Sequence, residues 1–449
     1  MEPQKPPSNK INDPPLDYLI RDAQVLPLSS LHPGPIPRGY VGLRGSVIAC
    51  VGEGAPEDWT AREVIEASGF LAMPGLVNTH THAAMTLFRG LADDLPLRSW
   101  LEDHIFPAEA RIIDAETVYW GSLLACAEMI RSGTTTFADG YFCLEGTARA
   151  VQEAGLRAVL AHGIIDFPAP GVPDPADNIA TVRRFIDRWA GVSELIRLGV
   201  FPHAAYTCSP ATLKQAKGLA REHRLPLFIH LAETREEVDR VRQISGTSPV
   251  RFLRDLDLLD SRTVAVHANW LEAEELDLLA ETRTGVSHCP ESNLKLAAGV
   301  APIVEMLERG IPVGLGTDGC ASNNDLDLLR EMRTAALLHK VTRRDPALLS
   351  APSLVRLVTI TGAVILGLEQ EVGTLEAGKQ ADLILVDLDR PHLTPLYNPF
   401  SHLVYAACGA DVDTVFVAGR PVMRRRELLT LDWREIRDRV REIAKRAGG

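Results

Sequence analysis

The sequence predicts an α/β protein in which a (β/α)8 barrel is joined to a small composite β-sandwich domain built from both chain ends. Three observations predict this fold: a length of 449 residues, eight short apolar runs separated by helical stretches, and strand-like segments at both ends. A barrel takes up roughly 250 residues, so the length leaves room for a smaller second domain. An open doubly wound sheet is the alternative, but no Gly-rich turn follows the first predicted strand.

The composition of successive segments divides the chain into four parts. Residues 1–16 are rich in Pro, Lys and Asn, and we expect a disordered tail there. Residues 17–68 and 371–449 carry short strand-like pieces broken by Gly, Pro and Asp, and they are expected to join in one β-domain. This domain is predicted to end in a helix over 433–446. Residues 69–370 hold the barrel.

Eight apolar runs of strand length alternate with helical stretches inside the barrel region. Unbroken apolar strands separated by helices are typical of parallel β/α units, and eight such units close a barrel. The runs cover residues 71–77, 134–138, 157–165, 197–202, 226–229, 263–266, 285–287 and 312–316.

Charge and composition exclude several classes of partner. The net charge is −12, and the one basic run is the triplet 424–426, which disfavours binding to nucleic acid. No apolar run approaches the ~20 residues that span a bilayer, and the N-terminus lacks the apolar core of a signal peptide. The seven cysteines are widely spaced without a C-x-x-C pair, which argues against disulfides and structural zinc. We expect a cytoplasmic protein with a small-molecule substrate, and we leave homo-oligomerisation open.

Ionisable residues follow the carboxyl ends of six of the eight predicted strands. In a (β/α)8 barrel these ends converge on one mouth, where the chemistry of such enzymes takes place. Polar groups buried at a barrel mouth need partners or a metal ion. In strand order, the residues are His80 and His82, His203, His230 and Glu233, His267, His288, and Asp318.

His80 and His82 are two positions apart, so on a strand both side chains point toward the barrel axis. Together with His230 and Asp318 they supply three imidazoles and one carboxylate, a set that suits Zn²⁺. Such an ion lowers the pKa of bound water from ~16 to about 7, so hydroxide becomes available at neutral pH. We therefore predict a metal-dependent hydrolase with one metal per subunit.

Two further residues are predicted to take part in catalysis. Glu233 follows His230 by three residues, so it can face the substrate while His230 holds the metal, and its carboxyl group can relay protons. The alternative for Glu233 is a carboxylate that stabilises the start of a helix. His267 is expected to orient the attacking water, and the alternative is a histidine buried behind the site.

Several motifs resemble those of the amidohydrolase superfamily, and the resemblance extends from about residue 17 to 425. It implies a barrel flanked by a composite β-domain, and a mononuclear zinc or iron (Fe²⁺) site. Binuclear relatives carry a carboxylated lysine on strand four, where this chain has His203 and no lysine. The motifs are Pro74-Gly-Leu-Val-Asn-Thr-His80-Thr-His82, His230-Leu-Ala-Glu233-Thr, His267-Ala-Asn, His288-Cys-Pro-Glu-Ser-Asn293 and Gly316-Thr-Asp318-Gly.

Within this superfamily, residues 82–97 and 100–109 resemble the loop that caps the mouth in 5-methylthioadenosine/S-adenosylhomocysteine deaminases. Trp100 in this loop is expected to stack on adenine, with a place in the core of the lid as the alternative. Some members carry an arginine near the end of strand three that helps bind the ribose or the amino-acid tail. This chain has His162 there, and we expect it to contact the substrate. The resemblance further implies ribose binding by Glu109, nucleoside contact by His203, and purine contacts by Glu233 and Asp318.

The predicted reaction is hydrolytic deamination of an adenine nucleoside at C6, which yields the inosine analogue and ammonia. The expected substrates are 5-methylthioadenosine, S-adenosylhomocysteine or both, with adenosine also considered. Glu233 would relay a proton to a ring nitrogen, while Asp318 and His267 hold the attacking water and Asp318 helps protonate the departing amine. One alternative is a related amidohydrolase that acts on guanine, cytosine or a chlorotriazine. Another is a metal-free binding scaffold, although such proteins typically lose their metal ligands.

Overall fold

A computed structural model describes residues 14–56 and 59–447 of the chain. It contains an eight-stranded parallel sheet and a separate nine-stranded sheet, which confirms the predicted barrel and the small β-domain. The predicted tail lies outside the described residues as far as position 13. The first strand already begins at Leu16, a fully buried residue that was predicted as part of the tail.

In chain order the strands of the described part are as follows. They are β1 (Leu16–Val25), β2 (Ile36–Arg44), β3 (Val47–Glu53), β4 (Ala61–Glu66), β5 (Phe70–Pro74), β6 (Leu76–Thr81), β7 (Thr134–Tyr141), β8 (Arg157–Ile164), β9 (Ile196–Pro202), β10 (Leu227–Leu231), β11 (Thr263–His267), β12 (Gly285–His288), β13 (Val313–Leu315), β14 (Leu383–Asp387), β15 (Val412–Val417), β16 (Arg420–Arg424) and β17 (Glu427–Leu428).

The helices of the same part connect these strands. They are α1 (Leu97–Ser99), α2 (Phe106–Ile112), α3 (Ala115–Arg131), α4 (Glu145–Ala154), α5 (Asn178–Trp189), α6 (Pro210–His223), α7 (Arg235–Ser245), α8 (Pro249–Asp255), α9 (Ala273–Thr282), α10 (Pro290–Lys295), α11 (Ile303–Glu308), α12 (Leu328–Arg343), α13 (Ala351–Leu357), α14 (Ile360–Leu366), α15 (Pro399–Tyr405) and α16 (Trp433–Ala447). A π-helical turn, Trp100–Ile105, joins α1 to α2, and short 3₁₀ segments lie at Ala83–Phe88, Pro175–Asp177, Pro391–Leu393 and Gly409–Asp411.

Strands β6 to β13 form the barrel in chain order, and each one overlaps one of the eight predicted runs. The first run, residues 71–77, needs a correction because it covers two strands of different sheets. Its first part, β5, pairs with β14 of the small sheet, and β6 starts the barrel after Gly75. A Cβ on Gly75 would lie 2.1 Å from the hydroxyl of Thr135, so this tight crossing requires glycine. Both strands are buried, so no polar residue marks the boundary.

The small sheet takes strands from both chain ends, as predicted. Its order is β17-β16-β15-β14-β5-β1-β2-β3, and β4 pairs with β1 beside β5. Strand β14 lies antiparallel between β5 and β15, so the C-terminal segment completes a sheet that the N-terminal segment begins. An apolar cluster that includes Ile20, Leu383 and Phe416 forms its core.

The terminal helix α16 forms where the sequence predicts it. It packs against α2 and α3. Ile436 and Ile443 on its apolar face join the main core of the barrel, and Arg111 donates a hydrogen bond of 2.7 Å to the carbonyl of Ala447. In the part of the chain that the structure describes, no helix is both long and apolar enough to span a membrane.

Helix α14 closes the amino-terminal end of the barrel. Its residues Ala363, Ile365 and Leu366 form one apolar cluster with inward-facing strand residues such as Val159 and Phe228. This end is therefore filled by hydrocarbon and excludes water. The polar residues at the carboxyl ends of the strands are left to line the only other end of the barrel.

The seam between β6 and β13 closes through a side chain, since no ladder pair joins these strands among the described residues. The Asn78 amide donates to the hydroxyl of Thr317 at 2.8 Å and accepts from the Thr317 backbone N–H at 3.1 Å. Next to it, the Asp318 backbone N–H donates to the carbonyl of His80 at 3.0 Å. The fully buried Asn78 thus replaces the missing ladder and aligns Asp318 with His80.

Replacing Asn78 by alanine should lower the free energy of unfolding by about 2–4 kcal/mol, because it leaves the buried N–H of Thr317 without a partner. Urea denaturation followed by circular dichroism measures the change. Asn398→Ala serves as control, since the exposed Asn398 caps α15 and its loss should cost about 1 kcal/mol. If Asn78→Ala costs no more than the control, the seam does not depend on this amide.

Candidate metal centre and active site

Three imidazoles meet at the carboxyl ends of the barrel strands. His80 and His82 come from the end of β6 and its following turn, and His230 comes from β10, and one ligand atom of each lies within 4.8 Å of the others. The Asp318 Oδ1 atom lies 3.5 Å from Nε2 of His80 and 3.3 Å from Nε2 of His82. The structure therefore brings the three predicted histidine ligands together and places the fourth predicted ligand, Asp318, beside two of them.

The chemistry of these four groups fits a single divalent cation. Nε2 of His80 is buried without a hydrogen-bond partner, which is costly unless the atom binds something else. Burial lowers the pKa of His80 to about 4, and burial with the nearby imidazoles puts the pKa of His230 well below its usual value. Neutral imidazoles are the form that binds metals.

The other two groups of the cluster form an ion pair. Burial raises the pKa of Asp318, but the imidazoles of His80 and His82 beside its carboxylate outweigh this effect and hold the pKa well below its usual range. Burial lowers the pKa of His82, but Asp318 overcomes this and raises it to about 8. A cation that binds at Nε2 of His82 therefore displaces a proton from it.

Hydrogen bonds behind the cluster fix the direction in which the ligands point. Nδ1 of His82 donates to the carbonyl of Gly140, so Nε2 is the nitrogen that faces the cluster and can bind a cation once its proton has been displaced. The Asp318 Oδ2 atom accepts from the hydroxyls of Ser292 at 2.7 Å and Ser322 at 2.9 Å, so Oδ1 faces the histidines. Sequence reasoning missed both serines, although Ser292 lies in one of the motifs that it quoted.

A chain of amides connects the two predicted catalytic residues Glu233 and His267. Nδ1 of His267 donates to Asn293 at 2.9 Å, Asn293 donates to Asn269 at 2.8 Å, and Asn269 donates to the backbone carbonyl of Glu233 at 2.9 Å. Nε2 of His267 is left facing the carboxylate of Glu233, 3.8 Å from Oε2. The relative position of the two side chains is thus set by Asn269 and Asn293.

The turn that carries Glu233 is held by a second carboxylate. Glu237 is buried, and its two oxygens accept the backbone N–H groups of Ala232 and Glu233, each at 2.8 Å. The backbone is left-handed at Ala232 (φ 49°), His267 (φ 71°) and Asp318 (φ 61°). Such conformations are unfavourable for residues other than glycine and persist where surrounding contacts enforce them, often at functional sites.

A cavity of about 490 Å³ opens outward from the metal cluster. Burial raises the pKa of Glu233, so this carboxyl group holds its proton more tightly than an exposed one. His203 stands beside the cluster, its Nδ1 donates to the hydroxyl of Thr207 at 2.9 Å, and burial lowers its pKa to about 3. The predicted residues that line the cavity are Trp100, Glu109, His203, Glu233, His267 and Asp318, together with the ligands His82 and His230.

Glu109 and Trp100 belong to the helical segment that covers the cavity. The Tyr141 hydroxyl donates to the Glu109 carboxylate at 2.5 Å, and burial raises the pKa of Glu109 to about 7. The indole N–H of Trp100 donates to the carbonyl of Ala92 at 3.1 Å, which fixes the ring in the wall of the cavity. Sequence reasoning missed Tyr141 because the predicted second strand stopped at Ala138, whereas β7 continues to Tyr141.

The predicted substrate contact at His162 is wrong in this structure. His162 lies on the outer face of β8, where its ring packs against Phe185 of α5 with ring centroids 5.6 Å apart. The next residue, Gly163, lines the cavity instead, because successive side chains of a strand point to opposite faces. His288 also lies away from the cavity, and its Nε2 is 3.3 Å from Nε2 of His339.

Comparison with known proteins relates this site to a family. Residues 71–422 match the Amidohydrolase family. The chain belongs to the amidohydrolase family. It is 50% identical over 410 residues to the 5-methylthioadenosine/S-adenosylhomocysteine deaminase 1 of Syntrophus aciditrophicus. The aligned region covers 91% of this chain and 92% of that protein. It is 48% identical over 404 residues to a 5′-deoxyadenosine deaminase of Methanothermobacter thermautotrophicus, which covers 90% of this chain and 93% of that protein.

A solved structure supports the same family. A crystal structure of an adenosine deaminase from Xanthomonas campestris with bound zinc has a TM-score of 0.94 to this amidohydrolase, at 38% identity, and covers 96% of this chain and 99% of that chain. The predicted resemblance is therefore confirmed. The predicted enzyme class is confirmed as well: a metal-dependent hydrolase that acts on a carbon–nitrogen bond.

Replacing Asn293 by alanine should lower kcat/KM of this amidohydrolase about 10- to 100-fold without loss of metal, because His267 loses the acceptor that orients it. Steady-state kinetics and metal analysis of the same sample check this. Asn293→Asp keeps an acceptor for His267 but cannot donate to Asn269, so it should retain more activity than alanine. Equal losses in the two variants would rule out the proposed orientation of His267.

Proposed function

We propose that this chain hydrolytically deaminates adenine nucleosides at C6, releasing ammonia and the inosine analogue. One observation carries the proposal: the cavity that contains the metal ligands and Glu233 also contains a buried carboxylate, Glu109. A carboxylate accepts hydrogen bonds from both hydroxyls of a vicinal diol, which is the feature that distinguishes a ribonucleoside from a free base. The volume of about 490 Å³ falls within the usual range for small-molecule sites.

The proposed substrates are nucleosides modified at the 5′ position. The names of the similar proteins include 5-methylthioadenosine, S-adenosylhomocysteine and 5′-deoxyadenosine. Adenosine belongs to the same candidate set, since the solved relative from Xanthomonas campestris is called an adenosine deaminase. In each of these the reacting amino group is on the purine, so one arrangement of catalytic residues serves all of them.

The residues at the inner end of the cavity are arranged for this reaction. His80, His82, His230 and Asp318 would hold a divalent cation, zinc in this proposal and iron as the alternative, which would lower the pKa of a water molecule bound there. Glu233, with its raised pKa, supplies a proton to the ring nitrogen next to C6. His267 presents a lone pair at Nε2 that accepts from the attacking water.

Asp318 has a second part in the proposed reaction. It stays ionised, and its Oδ1 is the oxygen left to accept a proton from the water, because the serine hydroxyls occupy Oδ2. From there the proton passes to the departing amine. Trp100 lines the cavity and is proposed to stack on adenine, and His203 is proposed to contact the nucleoside beside the cluster.

The location and assembly of the enzyme are part of the same proposal. All seven cysteines are free thiols, five of them buried, which supports a reducing compartment such as the cytoplasm. A small nucleoside is the proposed partner. Homo-oligomerisation stays a prediction that gel filtration with light scattering tests directly.

The two alternative functions make different demands on the site. A deaminase of guanine or cytosine, or a chlorotriazine hydrolase, has no ribose for Glu109 to bind. A metal-free scaffold does not need three imidazoles and a carboxylate around one point. Release of ammonia from adenine nucleosides but not from free bases, together with one metal per chain, separates the proposal from both.

Replacing Glu233 by glutamine should reduce kcat for 5-methylthioadenosine about 10²- to 10⁴-fold, because the amide cannot deliver the proton. Metal content should be unchanged, since Glu233 is not among the ligands. The control is Glu236→Gln, an exposed residue of the following helix turn, which should keep normal activity. A Glu233→Gln enzyme with full metal and near-normal turnover would contradict the relay role.

The pH dependence of substrate capture should follow the ionisation of Glu109. Its pKa of about 7 means that the ionised form, the better acceptor for ribose hydroxyls, dominates above pH 7 and is lost below it. We therefore expect kcat/KM to rise about tenfold between pH 6 and pH 8. In Glu109→Gln, kcat/KM should be lower and this limb of the profile should vanish. If kcat/KM of Glu109→Gln still rises by the same factor between pH 6 and pH 8, the rise is due to the ionisation of another group.

A further inference from the structure

We propose that the cavity selects nucleosides with a small, neutral and apolar 5′ substituent and discriminates against those that end in a charged amino-acid group. This inference rests on the proposed function and narrows its substrate class. It assigns 5′-deoxyadenosine and 5-methylthioadenosine as preferred substrates over S-adenosylhomocysteine. The specificity would come from the outer wall of the cavity, which no catalytic step uses.

The described residues of the cavity wall, away from the metal ligands, offer no amino or guanidinium group to a substrate carboxylate. Among the described residues that line it there is no lysine or arginine, and its acidic side chains are Glu109, Glu233 and Asp318. A substrate carboxylate would therefore enter without a cationic partner, and burial of an unpaired charge is strongly unfavourable.

The wall next to the proposed ribose site is apolar. Phe106 lies one turn before Glu109 on α2, and its ring is 5.4 Å from that of Phe167, which follows β8. Phe142 and Ile165, from the ends of β7 and β8, line the same part of the cavity. With the purine at the metal and the ribose at Glu109, these side chains surround the space left for the 5′ substituent.

The loop that completes this wall presents no charged side chain to the cavity. Pro168, Ala169, Pro170, Gly171 and Pro173 line the cavity, and prolines have no N–H to donate. The backbone groups of Ala169 and Val172 bond each other, with N–H to carbonyl distances of 3.0 and 2.9 Å. A methylthio group or a hydrogen atom is compatible with such a surface, whereas a carboxylate group finds no cationic side chain there.

The nearest basic residues lie in an adjoining outer groove, on the far side of Phe106 and Phe167. Arg98 is paired there with Glu102 at 3.2 Å and Glu236 at 3.3 Å, and Lys295 is paired with Asp93 at 2.5 Å. Arg235 pairs with Asp239 at 3.6 Å, and the guanidinium of Arg240 lies over the ring of Tyr206, 5.3 Å from its centroid. None of these four basic side chains lines the cavity that contains Glu109.

The test compares kcat/KM of the metal-loaded enzyme for four nucleosides: 5-methylthioadenosine, 5′-deoxyadenosine, adenosine and S-adenosylhomocysteine. We expect the first two to exceed the last by at least about 100-fold, with adenosine in between, because its hydroxyl is polar but neutral. A value for S-adenosylhomocysteine within tenfold of that for 5-methylthioadenosine would overturn the inference alone. Failure to release ammonia from any of the four would overturn the proposed function itself.

A pair of matched variants tests the physical cause. Phe167→Arg supplies a cation at the apolar wall, and it should raise the ratio of kcat/KM for S-adenosylhomocysteine to that for 5-methylthioadenosine at least about tenfold. Phe167→Met changes the ring without adding charge and should leave the ratio unchanged. An equal ratio in the two variants counts against the inference. The pair Phe142→Arg and Phe142→Met repeats the test if a variant at position 167 fails to fold.

Discussion

Closure of the barrel between its first and last strands is the constraint on which the rest of the site depends. Asp318 reaches the histidines of β6 only because β13 approaches that strand closely. Gly316 makes the approach feasible, since a Cβ there would lie 2.9 Å from the backbone nitrogen of His80. Asn78 then bonds across the seam in place of a ladder. The contacts that close the barrel are thus the ones that bring together the ligands, so stability and metal binding share a cause.

The metal ligands could be predicted from the sequence because a parallel barrel leaves a simple pattern. Its strands are buried on both faces, so they read as unbroken apolar runs, and the residues that end these runs share one mouth. His80 and His82 share a face through the two-residue repeat of a strand, and His230 and Asp318 end other runs. The predicted role of Glu109 in ribose binding came from the amidohydrolase resemblance, because no periodicity in the chain indicates it.

The sequence did not reveal in which direction several side chains of the site point. On a strand buried on both faces, nothing in the pattern tells which of His162 and Gly163 points inward, and His162 was assigned to the wrong face. The hydroxyls that orient Asp318 and the amides that connect Glu233 to His267 depend on contacts between distant loops. The left-handed backbone at His267 and Asp318 is likewise imposed by tertiary contacts, since neither residue type marks it.

The insertion of β14 between β5 and β15 has a consequence for biosynthesis. Ribosomes make the strands β1 to β5 first, yet the edge of β5 that pairs with β14 has no partner until the whole barrel has been translated. An open strand edge is a template for association with other chains. Nascent or prematurely terminated chains of this protein therefore carry an aggregation hazard that the finished molecule, with that edge covered, does not show.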